Sequence, residues 1–266
     1  MLRVASLHIY PVKACAAVDL EVMNLDSQGP CGDRRYMIVD DQGRFITQRE
    51  EPSLALVRPT LLPLGLRLET PGRSPITIMS PHEARRSVRV WSSELEALDA
   101  GEEASLWLTE HLGRPVHLVS MAPDVRRPID APHETGATSV AFADGFPLHV
   151  THTASLRELN GRLSTPINMN RFRANIVIDG GDAWDEDAWT ELRVGSAELK
   201  LPKPCGRCKV VTVDPETGET SKEPLKTLGT YRAVPGAGVI FGQNAIHSGP
   251  ATIEVGDLVE AIVPAP

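Results

Sequence analysis

From Lys200 to Asp214 the chain reads KLPKPCGRCKVVTVD, which sets two thiols, Cys205 and Cys208, three positions apart with the guanidinium of Arg207 between them. Four chemistries suit such a stretch. A zinc half-site needs a second ligand pair of similar spacing, and the remaining cysteines, Cys15 and Cys31, lie far upstream with only His8 near either. A redox C-x-x-C needs a helix N-terminus to lower the thiol pKa, whereas Val210, Val211 and Val213 read as a strand. Two loop cysteines without a chemical task are the plainest reading. The fourth is a thiolate ligand to a soft metal centre, with Arg207 and backbone N–H groups holding an anionic cofactor.

These residues need a rigid frame. Leu192, Val194, Ala197, Leu199 and Leu201 predict a strand pair before the cysteines, so the thiols fall in a Pro/Gly-interrupted loop between strands. Further short alternating runs are Val4–Tyr10, Val18–Met23, Tyr36–Asp40, Ala55–Thr60, Leu66–Thr70, Ile76–Met79 and Ser87–Val90. Asp41-Gln42-Gly43 is placed as a hairpin turn before Phe45–Thr47. Two helices are predicted, Glu102–Leu112 with Gly113 as its C-cap, and Ala154–Leu163 capped by Thr153 or by a Ser155/Glu158 box. A weaker helical stretch is Ser221–Tyr231. The pattern predicts a mainly β chain with a few helices (α+β), built as a barrel or sandwich. Residues 122–139, rich in Pro and charge, read as a linker or exposed loop. The boundary falls there, giving parts 1–121 and 122–266.

Composition narrows the function. With a net charge of −8 and no basic run, the chain does not suit a nucleic-acid partner. No apolar run approaches membrane-span length, and the N-terminus has no cleavage-site pattern, so a cytoplasmic protein without a membrane partner is expected. Four scattered cysteines fit a reducing compartment.

Six blocks carry a resemblance over nearly the whole chain: YPVKAC at Tyr10–Cys15, GDRRYMIVD at Gly32–Asp40, FADGFPL at Phe142–Leu148, RFRANIVIDG at Arg171–Gly180, the PCGRC stretch with the DPETGETSKEPLKTLGTYR that follows it, and FGQN at Phe241–Asn244. Their order and spacing resemble the MOSC-domain family, in the branch of the mitochondrial amidoxime reducing component and its bacterial counterparts. The resemblance implies a MOSC β-barrel as the C-terminal part and a smaller β-rich MOSC N-terminal domain before it. It also implies a molybdenum cofactor (Mo-molybdopterin) whose metal is ligated by Cys208.

Site residues follow from the same resemblance. Lys13 contacts the cofactor; the next residue, commonly serine in the family, is Ala14 here, which leaves only a backbone N–H. Arg34 reaches the cofactor and Arg35 is an exposed strand residue. Asp144, Gly145 and Phe146 lie by the metal and the cofactor. Gly145 and Phe146 replace small hydroxyl residues, so only backbone contacts carry over there. Asp144 is expected either to relay protons or to cap a turn. Arg173 and Asn175, two apart, are expected on one face of a strand and help hold the pterin. Gly206, Arg207 and Asn244 complete the cofactor set. Cys15, Cys31 and Cys205 read as structural or incidental.

The function implied is a molybdenum-dependent oxidoreductase that reduces small N-hydroxylated substrates. No ferredoxin-type cysteine series is present, so electrons would come from a separate donor such as a ferredoxin or flavin reductase. The alternative is a molybdenum cofactor or sulfur carrier that uses a Cys208 persulfide or transient ligand. A degenerate module without metal is a third possibility, against which the retained cations and thiol argue.

Overall fold

The computed structural model describes residues 1–80, 82–129 and 139–263. Its first strand, β1 (Leu2–Ile9), buries Val4, Leu7 and Ile9. Strict alternation cannot put Val4 and Leu7 on one face. A register shift between Val4 and Ser6 inserts the extra residue and turns both inward.

Six further strands close a barrel with β1: β2 (Leu148–His152), β3 (Ile176–Asp179), β4 (Glu191–Val194), β5 (Ala197–Gly206), β6 (Gly238–His247) and β7 (Leu258–Ile262). The order is β2-β3-β1-β7-β4-β5-β6, and β6 pairs back onto β2. β2 and β3 are parallel, and the crossover that a parallel pair requires carries helix α2 (Thr153–Arg162). Leu7, Val150, Ile176, Ile178, Leu192, Leu199 and Ala245 fill the interior. The pair Val22–Asp26 and Ala251–Glu254 adds Met23, Leu25 and Ile253 to the same core. The barrel thus takes β1 from the part before residue 121 and its other strands from the part after it.

Two further sheets lie outside the barrel. One runs Tyr36–Val39, His117–Ser120, Ser93–Asp99, Arg85–Val90; the other runs Arg58–Leu62, Gly65–Glu69, Ile76–Met79. Helix α1 (Glu102–Leu112) packs Ala104, Trp107 and Leu108 into their shared core. Glu102 and Glu103 lie in its first turn, and Gly113 ends it in the left-handed conformation at φ 68, as the sequence predicts. The mainly β class and the barrel are as expected.

Several local expectations are corrected. Lys209–Thr212 is a 3-10 helix, not a strand. Helix α3 spans only Leu225–Gly229 of the expected 221–231. The start of α2 is capped by the His152 side chain, which accepts from the Ala154 N–H at 3.2 Å. Of the expected caps, Thr153 donates to Asp179 and Ser155 to buried Glu186 instead. Pro52–Leu56 is a 3-10 turn leading into the strand Arg58–Leu62. Ser93–Asp99, His117–Ser120 and β6 were not marked by the sequence. In β6 a glycine at φ +72, Gly242, breaks the alternation. Residues 130–138 of the expected linker lie outside the described residues. Before them, Arg127 is buried rather than exposed.

Because β1 joins the barrel to the first part of the chain, truncating Leu7 to alanine should cost about 3 kcal/mol. Urea unfolding checks this, and a loss under about 1 kcal/mol would mean the site collapses around the smaller side chain.

Candidate functional site

The end of β5 is bent over the top of the barrel. Its register against β6 shifts between Lys200 and Lys203 and again between Pro204 and Gly206, with Pro202 and Pro204 at the irregularities. Cys205 and Gly206 therefore belong to a bulged strand end rather than a loop, and Cys208 sits at the start of the 3-10 helix. A Cβ on Gly206 would lie 2.6 Å from the carbonyl of Ala237, so only glycine lets these backbones approach. Cys208 is exposed on the wall of a cavity of about 850 Å³.

Arg207 does not lie against Cys208, as its sequence position suggests. Its guanidinium donates to the Cys205 sulfur at 2.8 Å and to the Phe172 carbonyl at 2.8 Å. Its Nη1 is also 3.4 Å from His149 Nε2. The Phe172 and Phe241 rings stack at 3.7 Å below it. Burial first, and Arg207 second, push the His149 imidazole down to about 3, so the ring is neutral.

Across the cavity, Lys13 is buried rather than solvated. Its ammonium donates to the Phe142 carbonyl at 2.8 Å and pairs with the Asp144 carboxylate. Burial pushes the Lys13 pKa down. Asp144 also accepts from Trp91 Nε1 at 3.0 Å. Burial alone would raise its carboxyl, but the charge and hydrogen bond of Lys13, with the Trp91 N–H, outweigh that and hold it below the usual range. The carboxylate is 70% open to the cavity, so solvent screens the pair and moderates the shift. Arg127 shapes this loop from behind by donating to the carbonyls of Ala141, Ala143 and Asp144.

A third cluster lies at the end of β1. The guanidinium groups of Arg34 and Arg173 cover the Tyr10 ring at 4.5 and 4.1 Å. Arg34 pairs with buried Asp33 and donates to Asn175 Oδ1 at 3.0 Å. Arg173 donates to the Cys15 carbonyl at 2.7 Å. Burial and the like charge of Arg34 lower the Arg173 pKa to about 10. Arg173 and Asn175 are not two residues of one strand. Arg173 ends a 3-10 turn in the left-handed region at φ 55, and Asn175 precedes β3. Asn175 is buried, and its amide donates to His8 O at 3.1 Å while accepting from Arg34 and the His149 N–H, so it braces the walls. Arg35 points away and binds Asp26.

The cavity lining brings together Lys13, Arg34, Asp144, Gly145, Phe146, Arg173, Asn175, Gly206, Arg207, Cys208 and Asn244. It also holds residues the sequence did not single out: Gln48, Arg49, Trp91, Arg127 and His149. Of these, Arg127 fell in the expected linker, and Trp91 had no motif around it. Ala14, Arg34, Trp91 and Arg173 all adopt left-handed backbone, with φ between 46 and 70, and all line the cavity. Such strain concentrates where surrounding structure fixes a site. Among the described lining residues, seven cations (Lys13, Arg34, Arg49, Arg127, Arg173, Lys203, Arg207) face one acid, Asp144. Among the described residues, Arg173 and Arg207 have no carboxylate partner, and Arg207 Nε is buried without a hydrogen bond. A thiol beside unneutralised guanidinium groups fits a soft metal carried on an anionic organic ligand. No cluster of three or more His, Cys, Asp or Glu able to hold a metal by itself occurs among the described residues, so a metal here would rely on one thiol and a carrier ligand.

Comparison with known proteins gives the family. Residues 1–115 match the MOSC N-terminal beta barrel domain, and residues 137–260 match the MOSC domain. Mitochondrial amidoxime-reducing component 1 of Homo sapiens is 36% identical over 283 residues, covering 96% of this chain and 82% of that protein. Mitochondrial amidoxime reducing component 2 of Rattus norvegicus is 37% identical over 243 residues, covering 86% and 72%. With both MOSC models matched in order, and relatives above 30% identity covered over more than two thirds of their length, the chain belongs to the MOSC family and is a homologue of the mitochondrial amidoxime-reducing components.

Proposed function

We propose that this chain is a molybdenum-cofactor-dependent reductase of N-hydroxylated compounds, fed by a separate electron-donor protein. The observation that supports this best is an exposed thiol, Cys208, opening on a cavity where Arg173 and Arg207 have no carboxylate partner among the described residues. When bound, the cofactor would supply the two-electron chemistry for the overall change R–NHOH + 2e⁻ + 2H⁺ → R–NH₂ + H₂O. Cys208 would provide the protein thiolate. Arg34, Arg173 and Arg207 would hold the anionic groups of the cofactor, with Lys13 near its phosphate and the backbone at Gly145, Phe146 and Gly206 closing the cradle. Asn175 keeps Arg34 aimed, and Asn244, anchored to the Pro204 carbonyl at 3.1 Å, fixes the floor below the thiol strand.

Asp144 is the one acid among the described lining residues, with its carboxylate 70% exposed. Its carboxyl is held ionised by Lys13 and Trp91, so at neutral pH it has no proton to give and takes one up poorly. We therefore assign it to orienting Lys13 and Trp91 rather than to the proton relay expected from sequence.

Molybdenum and pterin content of wild type and Cys208→Ala, purified from a host that makes the cofactor, tests the ligand assignment. Near-stoichiometric metal in the wild type and a large loss in the variant are expected. Metal-free wild type would sink the proposal. Turnover of benzamidoxime with a chemical reductant then separates a reductase from a carrier, which would bind the cofactor and catalyse nothing.

The Asp144 carboxyl has a lowered folded pKa, so its stabilising effect is present above about pH 4 and fades as pH falls through the folded value. Asp144→Asn should therefore be less stable than wild type at pH 7, by no more than about 1 kcal/mol because solvent screens the pair. Urea unfolding at pH 7 and pH 3 should show the gap closing. An unchanged gap at pH 3 would assign it to lost hydrogen bonds instead of charge.

A further inference from the structure

The inner cations of the cavity are each oriented by protein oxygens. Arg127 is tied to three backbone carbonyls, Arg34 to Asp33, Lys13 to Asp144, and Arg173 and Arg207 to carbonyl oxygens. Arg49 differs. It lines the cavity yet is exposed, and like Arg173 and Arg207 it has no carboxylate partner among the described residues. Its Nε donates to Thr47 Oγ1 at 3.3 Å. Its guanidinium lies 5.0 Å from the centre of the Trp91 ring. Trp91 in turn is 46% exposed, meets Phe45 edge-on at 5.1 Å, and is pinned by its N–H to Asp144. Lys13 lies over the other aromatic ring, Phe45, at 5.1 Å. Two rings thus separate an interior ammonium from a rim guanidinium, and among the described residues the rim guanidinium keeps its terminal N–H groups unengaged.

Trp91 holds its place at a cost. Its backbone is left-handed at φ 54, which is unfavourable for a bulky side chain. Its neighbours over-determine it through the Asp144 hydrogen bond and the Phe45 contact. The result is a guanidinium whose long side chain is already immobilised on an aromatic face, so less freedom is lost when it binds.

We propose that Arg49, positioned by Trp91, is a substrate-recognition residue that binds a carboxylate or phosphate on a planar N-hydroxylated substrate, making anionic substrates the preferred class. The proposal rests on the reductase reading for the reacting end of the substrate and not for its anionic end. The seven-to-one balance of cations over acids in the lining supports it, because a cavity of this charge attracts a second anion beyond any cofactor. A charge-assisted guanidinium–carboxylate pair at a partly open rim is strong enough to change affinity on the order of tenfold.

The test compares benzamidoxime with its 3- and 4-carboxylates on cofactor-loaded wild type and Arg49→Gln, by isothermal titration and by turnover with a chemical reductant. The expected result is a rise of about tenfold in both Kd and KM for at least one carboxylate in Arg49→Gln. Neutral benzamidoxime should change less than about twofold, and the carboxylate advantage in the wild type should shrink at high salt. Trp91→Ala should reproduce this split between charged and neutral ligands, which a general loss of stability would not. Equal effects on both ligands, or none, overturn the proposal. So does loss of molybdenum or pterin from Arg49→Gln, which would make Arg49 part of the cofactor anchor. If no compound is reduced but the wild type binds the carboxylates and Arg49→Gln does not, the anion site stands and the reductase reading falls.

Discussion

Tyr10 holds the two halves of the site together. It is fully buried, its N–H donates to Asp33 at 2.8 Å, and its hydroxyl donates to the Ala174 carbonyl at 3.2 Å. The two guanidinium groups on its ring come from opposite sides of the sequence, Arg34 from the loop before Tyr36–Val39 and Arg173 from the turn before β3. Two like charges this close repel. The ring face offers each an attractive surface, and buried Asp33 neutralises one of them. Burial raises the phenol of Tyr10 to about 12, so it stays neutral and keeps its donor role. The ring thus anchors the β1 end, the Asp33–Arg34 loop and the Arg173–Asn175 turn together, a task it shares with Asn175 through Arg34 and His8.

Around this anchor, the backbone is bent into forms that most side chains avoid. Four left-handed residues without the freedom of glycine ring the cavity, and two bulges bend β5 toward it. In each case hydrogen bonds or ring contacts hold the strained residue, so the strain appears only where several elements meet. The closed barrel makes this possible. Closure leaves no edge along β2 and β6, so its rigid rim can carry irregular segments without opening.

Charge is distributed against the average of the chain. The protein carries −8 overall, yet among the described residues this cavity is lined by seven cations and one acid. Most of these cations make hydrogen bonds to backbone carbonyls, which orient them without cancelling their charge. That arrangement keeps a positive field in a confined space, where it acts more strongly than on an open surface. An acidic exterior and a cationic interior together favour a small anionic ligand over a polyanionic macromolecule.

The sequence alone determined the β-rich class, helix α1 with its Gly113 cap, the strand pair leading to Cys205, and the blocks that carry the family resemblance. These are local properties: alternation, capping residues and motif order do not need distant partners. The tertiary structure decided the rest. Val210–Val213 looked like a strand, but packing of Val211 beside Leu159, Phe172, Leu228 and Phe241 makes it a 3-10 turn. Arg173 and Asn175 looked like neighbours on one strand face, but a left-handed turn sends one to Tyr10 and leaves the other as a brace. Arg207 looked like the partner of Cys208 and turned toward Cys205. Trp91, Arg127 and Arg49 carried no signal, because their roles come from contacts with residues 14 to 53 positions away or from their place on a cavity rim. Pairing across such separations, and the direction in which a side chain leaves a strained backbone, are set by packing and cannot be read from spacing along the chain.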